Sequence, residues 1–124
     1  NISYNFYPNL VTPIASTGIP FCLFWPKDAR TMVVEVVWFG PDGSEGHEMW
    51  PTRMSNLERI LEEDTQFAPH IQKSVECPGF EGMYLSYQER RIYHWHEELD
   101  RRIGLERVPK HLRVEPLLGA YVGA

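Results

Sequence analysis

The chain has 124 residues, 43% hydrophobic and 13% aromatic, enough for the core of one modest domain and too few for a self-contained two-domain enzyme. Seventeen acidic against 12 basic residues give a net charge of -5 without any Lys/Arg block, which argues against a nucleic-acid partner; the apolar runs stop well short of the ~18 residues of a membrane span, so no membrane partner is expected. Cys22 and Cys77 form no C-x-x-C pair and no signal-peptide pattern is present, so two reduced thiols in a cytoplasmic protein are expected.

Up to Gly40 the chain reads as β structure, because β-branched and aromatic residues dominate and Pro and Gly punctuate them. Three strands are predicted: Ile2 to Tyr7, with Ile2, Tyr4 and Phe6 on one face, then Ile19 to Trp25 and Met32 to Phe39. The short polar stretch Pro26-Lys27-Asp28-Ala29-Arg30 makes the last two an antiparallel hairpin. Gly40-Pro41-Asp42-Gly43-Ser44-Glu45-Gly46 ends the sheet as a solvated loop.

Beyond it the apolar period changes from ~2 to ~3.6. Ser55-Asn56-Leu57-Glu58 fits a capping box, with a start nearer Thr52 equally open, and the helical region is expected to run over about 52–76. Its stripe is Leu57, Ile60, Leu61, Phe67, Ala68, Ile71 and Val75. Pro69 cannot donate to the carbonyl of Thr65, which predicts a kink or break around Thr65 to Ala68. A second capping box, Ser86-Tyr87-Gln88-Glu89, opens a last helix over about 86–103, ended by Gly104. Leu105 to Ala124 has no period and is expected to be coil.

Asp64 stands out. It lies seven residues after Leu57 and three after Leu61, in the middle of the apolar stripe. Burying an unpaired carboxylate costs several kcal/mol, so a partner is required: a buried Arg, a set of backbone amides, a helix N-terminus or a metal ion. A structural carboxylate capping a turn after the break is an equal alternative, and Gln72, eight residues on, could donate a hydrogen bond in either case.

The remaining candidates have plainer explanations. His94 and His96, two apart on a helix, point about 200° from each other and sit among charged residues that fit a solvated face, Asp100 among them. His47, His70 and His111 are isolated, and no H-x-x-x-x-H or H-E-x-x-H pattern occurs, so the chain alone cannot assemble a three-residue transition-metal site. Neither phosphate-loop pattern is present. Ser86 reads as a cap and not as a nucleophile.

Seven short motifs in order carry a resemblance: Tyr7-Pro8-Asn9-Leu10, Phe24-Trp25-Pro26, Leu61-Glu62-Glu63-Asp64-Thr65, Ile71-Gln72-Lys73-Ser74, Gly79-Phe80-Glu81-Gly82, Leu85-Ser86-Tyr87-Gln88-Glu89 and His94-Trp95-His96. Together, from Tyr7 to Ile103, the chain resembles the C-terminal part of the catalytic domain of Rieske-type ring-hydroxylating dioxygenase α subunits. The resemblance implies an α+β, helix-grip (START-like) fold, an antiparallel sheet packed on a long C-terminal helix, here as an incomplete domain. It also implies a mononuclear Fe(II) held by two histidines and one carboxylate, with Asp64 as that carboxylate and Gln72 supporting it from behind. Leu57, Ile60 and the inward strand faces are expected to wall the substrate pocket.

The two histidine ligands and the Rieske [2Fe-2S] domain of the family have no counterpart in these residues. With no Met at Asn1, the chain is therefore expected to be a piece of a longer oxygenase, inactive and without bound iron by itself. The parent would hydroxylate an aromatic substrate with dioxygen and NAD(P)H-derived electrons, delivered by a ferredoxin or reductase, and would assemble as a homotrimer. The competing reading is a stand-alone helix-grip module that binds an apolar small molecule without catalysis; an assembly domain is a third.

Overall fold

The aromatic and β-branched residues of the first 40 positions fold into four strands, β1 (Ile2–Phe6), β2 (Leu10–Ile14), β3 (Ile19–Pro26) and β4 (Met32–Phe39). The computed structural model describes residues 2–14 and 18–115. All pairings are antiparallel and the sheet order is the chain order. The helices are α1 (Met49–Thr65), α2 (Ala68–Val75) and α3 (Arg90–Ile103). Two compact units meet in the sequence after Gly82: the first holds the sheet with α1 and α2, the second holds α3. The fold is α+β, as the sequence implies.

One strand more is present than the sequence predicts. β2 contains Thr12 and Pro13 and follows the Tyr7-Pro8-Asn9 turn, whose Tyr7–Pro8 peptide is cis, so it reads as loop. Pro13 is tolerated because β2 pairs with β3 only at Leu10↔Leu23 and Val11↔Cys22; at Pro13 the missing N–H would have had no partner on that side. The β3–β4 hairpin is the longest ladder, from Ile19↔Phe39 to Pro26↔Met32. Its turn is fixed by the Lys27 amide donating to the Thr31 carbonyl (2.9 Å) and the Arg30 amide donating to Asp28 Oδ1 (2.7 Å).

Register assigns the faces. Tyr4↔Thr12, Phe6↔Leu10, Leu10↔Leu23, Phe21↔Val37 and Ile19↔Phe39 put a row of aromatic and aliphatic side chains on one side. Phe21 and Phe39 pack there with ring centroids 4.7 Å apart. Even so, Phe6 and Phe39 keep about half their surface exposed, at 53% and 52%. Glu35 is the single charge on this face, and it accepts the Trp25 indole N–H at 3.0 Å. Thr12 is buried here, and its hydroxyl has no hydrogen-bond partner among the described residues. The other side carries Cys22, Phe24, Val34, Val36 and Trp38, and α1 lies against it.

Trp50 ties α1 to the sheet. Its indole N–H donates to the Ser44 carbonyl (2.7 Å), and its ring meets Trp38 edge-on at 5.8 Å. Gly18 and Gly40 lie directly under the indole, where a Cβ at either position would collide with ring carbons. α1 therefore starts at Met49, six residues before the predicted Ser55 cap, with Pro51 in its first turn, where no N–H is required. The expected break is present: α1 ends at Thr65, and α2 begins at Ala68 with Pro69 in its first turn.

In the second unit the Ser86/Glu89 capping box forms as predicted, over a 3₁₀ turn (Tyr87–Glu89) that leads into α3. Hydrogen bonds from Ser86 hold the Glu89 carboxyl below its ordinary range. Gly104 ends α3 at φ 96°, where a side chain would be strained. Asp100 departs from the expected solvated face. It is buried, and its Oδ2 accepts the Val114 amide at 2.9 Å, because the chain after Gly104 folds back, buries Val108 and makes a 3₁₀ turn (Lys110–Leu112). Between 105 and 115 the expected coil is irregular apart from that turn, and its remainder lies outside the described residues.

Replacing Asp100 by Ala strands a partly buried amide, so Asp100→Ala is expected to cost about 1–3 kcal/mol in urea unfolding, with Asp100→Asn, which keeps an acceptor, costing less. Glu98 gives a pH signature. Hydrogen bonds from Arg101 first and Arg102 next (2.6–2.8 Å) hold its carboxyl down to about 2. Because the folded value lies below the unfolded one, this contribution is whole above the ordinary Glu range of about 4.3 and is lost as pH falls toward about 2. A carbon-detected NMR titration should place the Glu98 midpoint near that value, and Arg101→Ala should move it upward.

Candidate functional site

Helical spacing on α1 brings Met54, Leu57 and Leu61 to the side that faces β4, where strand alternation brings Val34, Val36 and Trp38. Between them runs an apolar groove of about 570 Å³, rimmed by Glu58, Glu62 and Thr65. Leu57 lines this groove. Ile60 does not: it is 50% exposed and outside the groove, being one position off the Leu57/Leu61 row. Of the other lining residues only Leu61 belongs to the stripe read from the sequence; Trp38 and Met54 were not singled out, because the strand–helix pairing is a tertiary fact. Cys22 is buried on the same sheet face, and burial pushes its thiol up, which disfavours a nucleophilic thiolate.

A second cavity, about 690 Å³, opens where β4 passes into α1, between Trp38, Trp50 and the loop from Gly40 to Glu48. His47 on its wall accepts the Met49 amide through Nδ1 at 3.1 Å, which leaves Nε2 as the protonated nitrogen of the neutral ring. The loop expected to be merely solvated is thus folded around Trp50.

Asp64 lies in the last turn of α1 and is exposed, on a helix that buries none of its residues. This corrects the burial argument: no desolvation cost demands a partner. The electrostatics are unfavourable in another way. Glu62, Glu63 and Asp64 crowd the C-terminal turn, where the helix dipole is negative and no basic residue compensates. Among the described residues no hydrogen bond or ion pair engages the Asp64 carboxylate.

Gln72, on α2, is half-buried and does not turn toward Asp64; its Nε2 donates to Glu76 Oε1 at 2.7 Å. His94 is exposed with Glu97 3.9 Å away, and His96 meets the Trp95 ring edge-on. Among the described residues no three His, Cys, Asp or Glu side chains come together, and no helix is long and apolar enough to cross a membrane. Cys22 and Cys77 are both free thiols. A three-donor iron site of the kind the resemblance implies is therefore not formed by the described residues, among which the Asp64 carboxylate stands unengaged.

An open antiparallel sheet followed by helices, with an apolar groove beneath the first of them, defines the class as α+β. The chain belongs to the family of ring hydroxylating alpha subunits (catalytic domain), which matches residues 1–105. Ring hydroxylation is the activity of that family. No curated protein and no solved structure matches the chain.

Since Asp64 opposes the helix dipole and has no partner, Asp64→Asn should leave stability unchanged or raise it by up to about 1 kcal/mol. Chemical denaturation checks this; a loss of more than about 1 kcal/mol would mean that the carboxylate holds the fold.

Proposed function

We propose that this chain is the C-terminal portion of the catalytic domain of an aromatic-ring-hydroxylating dioxygenase α subunit, and that Asp64 is the carboxylate it contributes to a mononuclear Fe(II) site. The family match over residues 1–105 carries the reading. The open Asp64 carboxylate, at the electrostatically uncompensated end of α1, supports the assignment. When bound, Fe(II) supplies dioxygen activation, and a Rieske [2Fe-2S] cluster supplies electrons drawn from NAD(P)H through a ferredoxin or reductase; the family generally uses these cofactors and oligomerises.

This chain's residues have simpler tasks. Leu57, Leu61, Val34 and Val36 offer an apolar surface for the ring, without competing polar groups on the groove floor. Asp64, one turn past Leu61, presents a negative oxygen outside the groove, between the rim residues Glu62 and Thr65. Gln72 would support it by donating the Nε2 hydrogen that the bond to Glu76 leaves over. A single carboxylate binds iron weakly, so the chain alone is expected not to turn over.

The test uses an oxygenase that carries this chain within its α subunit. Asp64→Ala should abolish ring hydroxylation and cut bound iron at least tenfold, while Glu63→Ala retains both; Gln72→Ala should weaken iron binding by about 10- to 100-fold. Full iron occupancy in Asp64→Ala would remove the assignment. Binding of an apolar molecule with no hydroxylation of it by the unaltered protein would favour the non-catalytic module instead.

A further inference from the structure

α2 is only eight residues long and buries none of them. Helices under about 12 residues are marginal alone, and apolar packing contributes little here, since Ile71 is 51% exposed. Something else must keep it in place. Glu76, the residue that ends α2, donates its amide back to the Gln72 carbonyl (3.1 Å) while its side-chain Oε1 receives two donors. One is Gln72 Nε2 at 2.7 Å; the other is Arg30 Nε at 2.8 Å, from the β3–β4 turn. Arg30 is presented by a fixed backbone, because its own amide is tied to Asp28 Oδ1.

We propose that the Arg30–Glu76–Gln72 chain is a salt-sensitive latch that holds α2 to the β3–β4 turn. The pair lies at the surface, with Arg30 largely exposed and Glu76 partly so, so it is weak in absolute terms and open to screening. A weak tie is sufficient for a helix this marginal. The latch also fixes the Gln72 amide, committing one Nε2 hydrogen to Glu76, so the hairpin turn and the α2 side chain respond together to salt. None of this depends on the role given to Asp64.

Hydrogen exchange of the chain reads the latch directly. Arg30→Glu should speed exchange of the α2 amides about two- to fivefold while the β3–β4 ladder stays protected, and the swap Arg30→Glu with Glu76→Arg should restore the original rate. On the unaltered chain, raising salt from about 0.05 M to about 0.5 M, which shortens the screening length below the reach of an exposed pair, should reproduce the Arg30→Glu effect. The latch is refuted if α2 exchange ignores both the substitution and salt, or if the swapped pair exchanges as fast as Arg30→Glu. Should Arg30→Glu disturb the ladder itself, the salt series on the unaltered chain decides alone.

Discussion

The sheet is apolar on both faces, and this constraint governs the rest of the molecule. An antiparallel sheet with one solvated face alternates apolar with polar residues, whereas a sheet buried on both sides does not. β3 and β4 follow the second pattern: Phe21, Val37 and Phe39 on one side, Cys22, Val36 and Trp38 on the other. Such a sheet belongs in the middle of a layered domain. α1 takes the second side, with Trp50 wedged over Gly18 and Gly40 as the fixed point. The groove under α1 is a result of that anchoring, because the helix is pinned at its first turn and stands away from β4 further along.

The same constraint accounts for how little of α1 is buried. A helix tethered at one end keeps its distal turns accessible, and there Asp64 carries a charge that neither burial nor pairing has neutralised. Three carboxylates at the negative end of a helix are a local cost to folding.

Much of this was legible in the sequence, for identifiable reasons. β3, β4, the break before Pro69, the Ser86/Glu89 box and the Gly104 stop each follow from signals confined to a few neighbouring residues. β2 escaped because its Pro13 is acceptable only where pairing with β3 has ceased, a fact of register. The start of α1 escaped because Trp50, not a polar cap, sets it. Asp100 looked like one more charge on a charged helix until Val114 returned to meet it. Asp64 was singled out by its spacing along the helix, yet that spacing wrongly implied burial; family likeness, not periodicity, is what sustains it as a ligand candidate. The pairing of Arg30 with Glu76, 46 positions apart in the chain, leaves no trace in local sequence.

The meander has a kinetic consequence. Among the described residues every strand pairs only with its neighbour in the chain, so no ladder there must wait for a distant segment to arrive, and the loop-closure entropy of each step stays small. The β3–β4 hairpin closes over a turn of five residues, 27–31, and has the longest ladder, which makes it the natural nucleus. β2 and then β1 can add to it one hairpin at a time, on the microsecond scale of such events, before the helices dock.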